Sequence, residues 1–346
     1  MDPVTHVALG IATALCVAPK TQSLQTTSLV GATAALLPDA DVLLSSQHDP
    51  LFSLEFHRHF THSLAFSPVI ALTATALVWV CQRPFHVAPT FLPLLLPAWL
   101  ATLSHLLCDA WTSYGTHLWW PLIDTRVSLD WISVVDPLLT VPLLLGLGAA
   151  VLLRTRRPAV LSLGYVAAYL LVCALQHQRA LHAHSLWIAR QNLPPASRIT
   201  VKPSFANILV WRALSVHGSN VHTAAIRCGF GPPRVLAGDS QAIFASADEA
   251  VSHFRSPPDS AQAHGIRRFH RLSNGWTGPH RDPTLLGDLR YATLPHTIAP
   301  LWCIRLNPNL PDQPVAWAPQ RSLQQAPWPE WWQLIQGRHP NLQPPG

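Results

Sequence analysis

"HRHFTHSLAFSPVIALTATALVWVCQ" runs from His57 to Gln82 and changes character midway. Its first six residues hold three histidines and an arginine, and the nineteen residues from Leu64 to Gln82 contain no Asp, Glu, Lys or Arg. A helix needs about 20 apolar residues to cross roughly 30 Å of hydrocarbon. The stretch therefore reads as a membrane helix with an ionisable cluster at its mouth. Residues 3–19, 21–38, 84–108, 137–153 and 158–178 are equally free of charge. The segments from residue 64 onward have spanning length. The first two are short and flecked with polar residues, so they are read as half-buried or as crossing only as a packed pair. Only 12% of the chain is charged, against about 25% in soluble domains.

The composition turns near residue 178. Residues 1–178 hold seven Lys or Arg against nine Asp or Glu, whereas residues 179–346 hold sixteen against eight. The second half is rich in Pro, Gly and Trp and carries short alternating runs such as "RITVKP" and "LWCIRL". The expected architecture is an all-α, multi-pass membrane domain over 1–178, followed by a small β-rich domain over 179–346. The closing stretch "PWPEWWQLIQGRHPNLQPPG" reads as a short helix and a loose end.

The start, "MDPVTH", lacks a basic n-region and a small-x-small cleavage site, so the first segment is read as retained rather than as a signal peptide. Lys20, Arg83 and the group Arg154, Arg156 and Arg157 fall on alternate connections. The positive-inside rule makes that face cytoplasmic. The connections 39–63 and 109–136, with eight carboxylates against Arg58 and Arg126, and the tail would then face outward. Cys16, Cys81, Cys108 and Cys173 read as small buried thiols of apolar segments. Cys228 and Cys303 could pair if the tail is extracytoplasmic, though no spacing motif supports it.

This topology gathers polar residues at one level of the membrane: His6, Asp39 and Asp41 in "LPDAD", His57 and His62, His105 and Asp109 in "SHLLCD", and Asp136. His105 and Asp109 are four apart and share a helix face, where both could ligate one cation. Each has a plainer reading. The aspartates after Pro38 suit a turn, the histidines could bond backbone, and Asp136 before Pro137 is a good helix cap. Arg58 among the histidines suits an anion. Nitrogen and oxygen donors without cysteine favour Zn, with Mn as the alternative, and so many carboxylates suit more than one ion. The tail histidines His217, His222, His270 and His280 show no ligand spacing and read as surface or packing residues.

"THVALG", "LPDAD", "HRHFTHS", "SHLLCDAWTSYG" and "VVDP", in this order, resemble the YdjM-like family of bacterial inner-membrane, metal-dependent hydrolases across residues 1–178. "ILVWR", "IRRFHRLSNGW" and "GDLRY" resemble the extra domain of its longer members. The resemblance implies a hydrolase with His6, Asp39, Asp41, His57, His62, His105, Asp109 and Asp136 as its site residues. One departure is His59, which stands where members commonly carry a small residue and either crowds the loop or adds a ligand. A more distant similarity, to zinc-dependent phospholipase C and the P1-type nucleases, implies phosphoester hydrolysis.

The expected function is a membrane-bound metal-dependent hydrolase at the outer face of the inner membrane, with the tail periplasmic. His6, Asp39, Asp41, His57, His62, His105 and Asp109 would hold metal, Asp136 would be a ligand, an acceptor supporting a ligand, or a general base, and Arg58 would steady an anionic substrate. Membrane lipids and a lipid-linked or phosphoester substrate are the expected partners, and nucleic acid is not. A membrane-anchored interaction protein using the basic tail is the alternative. An ion or proton transporter is weaker, because segments three and five are apolar at mid-depth.

Overall fold

The computed structural model describes residues 1–46, 48–83, 90–320 and 327–344. The start of the fourth charge-free segment, 84–89, and the last two residues of the expected loose end lie outside these. The chain divides into two units. One is Met1–Leu44, Phe56–Leu175 and Phe205–Asn207, and the other is Ser45–Glu55, Gln176–Ser204 and Ile208–Gly346.

The first unit is helical. Helix α1 (Pro3–Val17) begins where the Asp2 carboxylate accepts the Thr5 amide at 3.0 Å, and α2 (Leu24–Leu36) where Ser23 caps Thr26 in the same way. Pro38 has no amide to continue α2, which passes into a 3-10 turn over Leu37–Leu43. A short helix α3 (Phe52–Phe56), which falls in the second unit, and a 3-10 turn (Phe60–His62) precede α4 (Ser67–Gln82). Then come α5 (Leu92–Trp111), α6 (Pro137–Leu152) and α7 (Arg157–Ala189).

Among the described residues two helices, α5 and α7, are long and apolar enough to cross a membrane, and a third crossing arises if Phe52–His62 and Ser67–Gln82, bent by 83°, count as one. The fifth charge-free segment was expected to span, but α6 has 16 residues, about 24 Å at 1.5 Å per residue. Asp136 and Pro137 set its start, and the chain turns at Arg154, whose φ of 50° is left-handed.

Helices α1, α2, α4 and α5 pack through small residues: Ala14, Val30, Ala34, Ala71, Ala74, Ala98 and Ala101. At the α1–α2 crossing a Cβ on Gly31 would sit 2.7 Å from the Gly10 carbonyl oxygen, so glycine is required there. Larger apolar side chains face the other way, among them Leu72 and Val80 of α4, Leu96 of α5, Leu145 of α6 and Leu171 of α7. Small residues inside and leucines outside is the packing expected of helices in lipid. The cysteines divide accordingly. Cys108 and Cys173 are buried, but Cys16 and Cys81 are exposed, because they lie on outward faces of α1 and α4.

The second unit is β-rich. Strands β1 (Ala196–Pro203), β2 (Val210–His217), β3 (Asn220–Arg227) and β4 (Arg234–Ala242) form an antiparallel sheet in sequence order. So do β5 (Thr277–Pro279), β6 (Leu285–Ala292), β7 (Pro300–Arg305) and β8 (Ala316–Trp317). Helices α8 (Ala247–His253) and α9 (Ala261–Leu272) link the sheets, and α10 (Trp328–Gln336) follows them where the sequence predicts a short helix. Between β2 and β3 the chain turns in two residues, with Gly218 at φ 59°, as a tight hairpin demands. The buried Arg212 of "ILVWR" donates to the carbonyls of Leu289, Arg290, Leu294, Pro295 and Thr297, tying β2 to the second sheet.

Residues 45–55 also belong to this unit. Leu51 is buried with Phe244, Ile266, Phe269 and Leu286. Arg268 of α9 donates to Asp49 at 3.0 Å and to Glu55 at 2.6 Å, and Arg271 pairs with Glu55. Cys228 and Cys303 are both buried and free, so the disulfide considered for them is not formed.

Candidate metal centre

His105 and Asp109 project from one face of α5, one turn apart, and His62 and Asp39 meet them from the two 3-10 turns. His62 Nε2 lies 3.0 Å from His105 Nε2, 3.4 Å from Asp39 Oδ1 and 3.3 Å from Asp109 Oδ2. His105 Nε2 lies 3.7 Å from the same Asp39 oxygen and 3.5 Å from Asp109 Oδ2. Donors bound at about 2.1 Å to a tetrahedral ion stand about 3.4 Å from one another. These separations therefore fit one first-row divalent cation.

The protons support the same reading. The Nδ1 of His105 is 2.6 Å from the Ala35 carbonyl, which can only accept, so Nδ1 holds the proton and Nε2 a bare lone pair. The Nδ1 of His62 faces Thr61 Oγ1 at 3.0 Å and Asp41 Oδ2 at 3.3 Å, and the Thr61 hydroxyl donates to the same Asp41 oxygen at 2.9 Å. That arrangement assigns the His62 proton to Nδ1 as well. Burial acts to lower the His62 pKa, but Asp109, Asp39 and Asp41 push it up to about 10, so a proton on His62 Nε2 and a metal ion compete for the same position between two nitrogens and two carboxylate oxygens. Asp109 Oδ2 is fully buried and accepts no hydrogen bond, which is costly for a carboxylate. Arg58 Nε stands 3.0 Å from that oxygen without making a hydrogen bond, and a metal ion here would supply the missing contact, so the donor set fits a metal.

Other residues hold the ligands in place. His6 Nε2 meets Asp109 Oδ1 at 3.1 Å, where the Met1 amine also binds, and its ring stacks on His105 at 3.7 Å. Asp41 bonds His57 Nδ1 at 2.9 Å and accepts the Arg58 amide at 2.9 Å. Burial acts to raise the pKa values of both acids. His62, with His105, still holds Asp39 down at about 2, and His57 and His62 hold Asp41 well below the usual carboxylate range. Asp39, Asp41 and His57 form a second possible ligand group, so Asp39 is common to both.

Three predicted site residues sit differently from expectation: His6 lies outside the donor groups and bonds the Asp109 carboxylate instead, and Arg58 and Asp136 are the others. Arg58 is buried, with Nε 3.0 Å from Asp109 Oδ2 and Nη1 donating to Thr112, rather than held out toward an anion. Its φ of 62° is left-handed, which costs energy for a side chain of this size. Asp136 joins neither group. It caps α6 by accepting the amides of Leu138 and Leu139, and the Tyr169 hydroxyl meets both its oxygens.

A third group escaped the sequence reading: His59, His117 and Asp124. His59 stood out as a departure, but His117 and Asp124 lie in a loop with no ligand spacing. Burial and the Arg126 charge hold His117 down at about 4, so its ring is neutral at pH 7.

The model of the YdjM inner membrane protein family matches residues 1–180. Inner membrane protein YbcI of Escherichia coli (strain K12) is 36% identical over 107 residues, 29% of this chain and 57% of that relative. The chain thus spans 57% of the length of the curated relative it matches. No solved structure matches it.

Proposed function

The chain belongs to the YdjM inner membrane protein family, and from that premise we propose that it is a membrane-bound hydrolase dependent on a divalent ion. The ion is Zn, with Mn the alternative, held by Asp39, His62, His105 and Asp109. The observation that carries the reading is the set of four donor atoms, all within 4.8 Å of one another. The ion would polarise an ester or phosphoryl oxygen and make a water acidic enough to attack near neutral pH.

The chain's own residues do the rest. Asp41 orients His57 and His62 through their Nδ1 atoms. His57, with 28% of its side chain exposed, is the imidazole of the cluster open to water and is placed to pass a proton to a leaving oxygen. Asp39 belongs to both donor groups, so a second ion would share its carboxylate. Arg58 offsets the charge of Asp109 inside the protein, and His6 steadies that carboxylate from its other oxygen.

Several helices cross the bilayer in this reading. The arginines of the 154–157 connection face the cytoplasm, and the metal site and C-terminal unit lie on the periplasmic side. The packing of 45–55 within the C-terminal unit supports this, because a loop and the domain enclosing it share one side of a bilayer. A site at that level suits a phosphoester or lipid-linked headgroup already resident in the membrane.

The test is a screen of phosphoesters and lipid-linked headgroups with the zinc-loaded full chain in lipid nanodiscs. Hydrolysis by the wild type that falls at least about a hundredfold in His105→Ala supports the reading. Equal turnover by a folded His105→Ala would overturn it.

A further inference from the structure

We propose that His59, His117 and Asp124 form a second, separate site for a first-row transition-metal ion, which clamps the 116–127 loop onto the turn carrying His57 and His62. None of these three residues contributes to the donor groups around Asp39.

The Asp124 Oδ1 atom lies 3.0 Å from His117 Nδ1 and 3.6 Å from His59 Nε2, and the two rings stand 4.7 Å apart between centroids. These donor separations again bracket the roughly 3.4 Å expected around one tetrahedral ion. His117 is 8% exposed, and its Nδ1 is buried without a hydrogen bond although Asp124 Oδ1 stands 3.0 Å away. A buried nitrogen of this kind, turned toward a carboxylate and a second imidazole, lacks only a cation. Asp124 is 72% exposed at its side chain. The site therefore opens to solvent and leaves at least one position for water. Two imidazoles and one carboxylate suit Zn(II), Cu(II), Ni(II) or Fe(II) better than Mg(II) or Ca(II).

The clamp follows from where the ligands sit. Thr116 and Val127 close the loop by exchanging backbone hydrogen bonds at 3.1 and 2.8 Å. His117 donates its amide to the Arg58 carbonyl at 3.1 Å, and Trp120 packs beside His59 with ring centroids 5.6 Å apart. An ion shared by His59 on the turn and by His117 and Asp124 on the loop would bind the two segments together.

The experiment uses the full chain in detergent, stripped with chelator and loaded with ZnCl2 or, separately, CuCl2. Bound ions are counted by mass spectrometry after gel filtration. Asp124→Ala is the primary variant, because its exposed side chain can be removed without disturbing the core, and His117→Ala is the second. Each should bind one Zn per chain fewer than the wild type, or bind that ion at least about tenfold more weakly, and cleavage by protease within 118–126 should become faster. In Cu-loaded His105→Ala, the electron spin resonance spectrum should show coupling to two imidazole nitrogens, which is lost when His117→Ala is added. Unchanged zinc count and affinity in both Asp124→Ala and His117→Ala would overturn the proposal.

Discussion

His105 can offer a lone pair at Nε2 because its proton sits on Nδ1, which donates to the Ala35 carbonyl, and Asp109 can offer an oxygen because His6 occupies the opposite one. Residues that act through a ligand should matter less than the ligands themselves. His62→Ala and Asp109→Asn should each weaken zinc binding at least about a hundredfold, while His6→Ala, acting through Asp109, should cost about 10–100-fold. Competition titration with a chromophoric chelator separates these ranges. The His105/Asp109 pair was legible because helical spacing alone puts both on one face. The role of Arg58 was not, because its partner is 51 residues away and its left-handed backbone leaves no mark in composition. Far from the metal site, Arg212 serves five carbonyls from the protein interior. Arg212→Met should destabilise the C-terminal unit by about 3 kcal/mol or more, read by thermal unfolding, since those oxygens would be left buried and unpaired.

At the scale of elements, two close contacts decide the arrangement. Helices α1 and α2 touch backbone to backbone at Gly10 and Gly31. Gly31→Val should cost about 1–3 kcal/mol, visible as a lower melting temperature in detergent. The 45–55 segment is held by Arg268 and Arg271. Burial acts to raise the Asp49 pKa, but the hydrogen bond and charge of Arg268, with the amides of Leu51 and Phe52, together outweigh it and the net shift is downward. A lowered carboxylate pKa means that this contribution is complete above the unfolded value of about 3.9 and is lost as pH falls through the folded one. Proteolysis of the 45–55 segment should therefore accelerate below about pH 4, and Arg268→Ala should show the faster rate at pH 7. This clamp was hidden in the sequence because Arg268 and Glu55 are 213 residues apart. By contrast, the helices and the strand-rich tail were readable from local periodicity and turn residues. The shortness of α6 was not, since a charge-free run of the right length says nothing of where its caps fall.

For the whole molecule, the proposed topology has the C-terminal unit in the periplasm. An alkaline phosphatase fusion after residue 346 should be active and a green fluorescent protein fusion there dark. The reverse pattern would put the metal site on the cytoplasmic face and remove the argument for an outer-leaflet substrate. The central claim is that the buried histidines and aspartates exist to hold an ion. It is tested most directly by counting Zn and Mn in the detergent-purified full chain, before and after reconstitution, beside a His105→Ala/Asp109→Ala variant checked for native melting. The account predicts stoichiometric metal in the wild type and at least one ion fewer per chain in the variant. A folded wild type that takes up no ion even from excess zinc would contradict it.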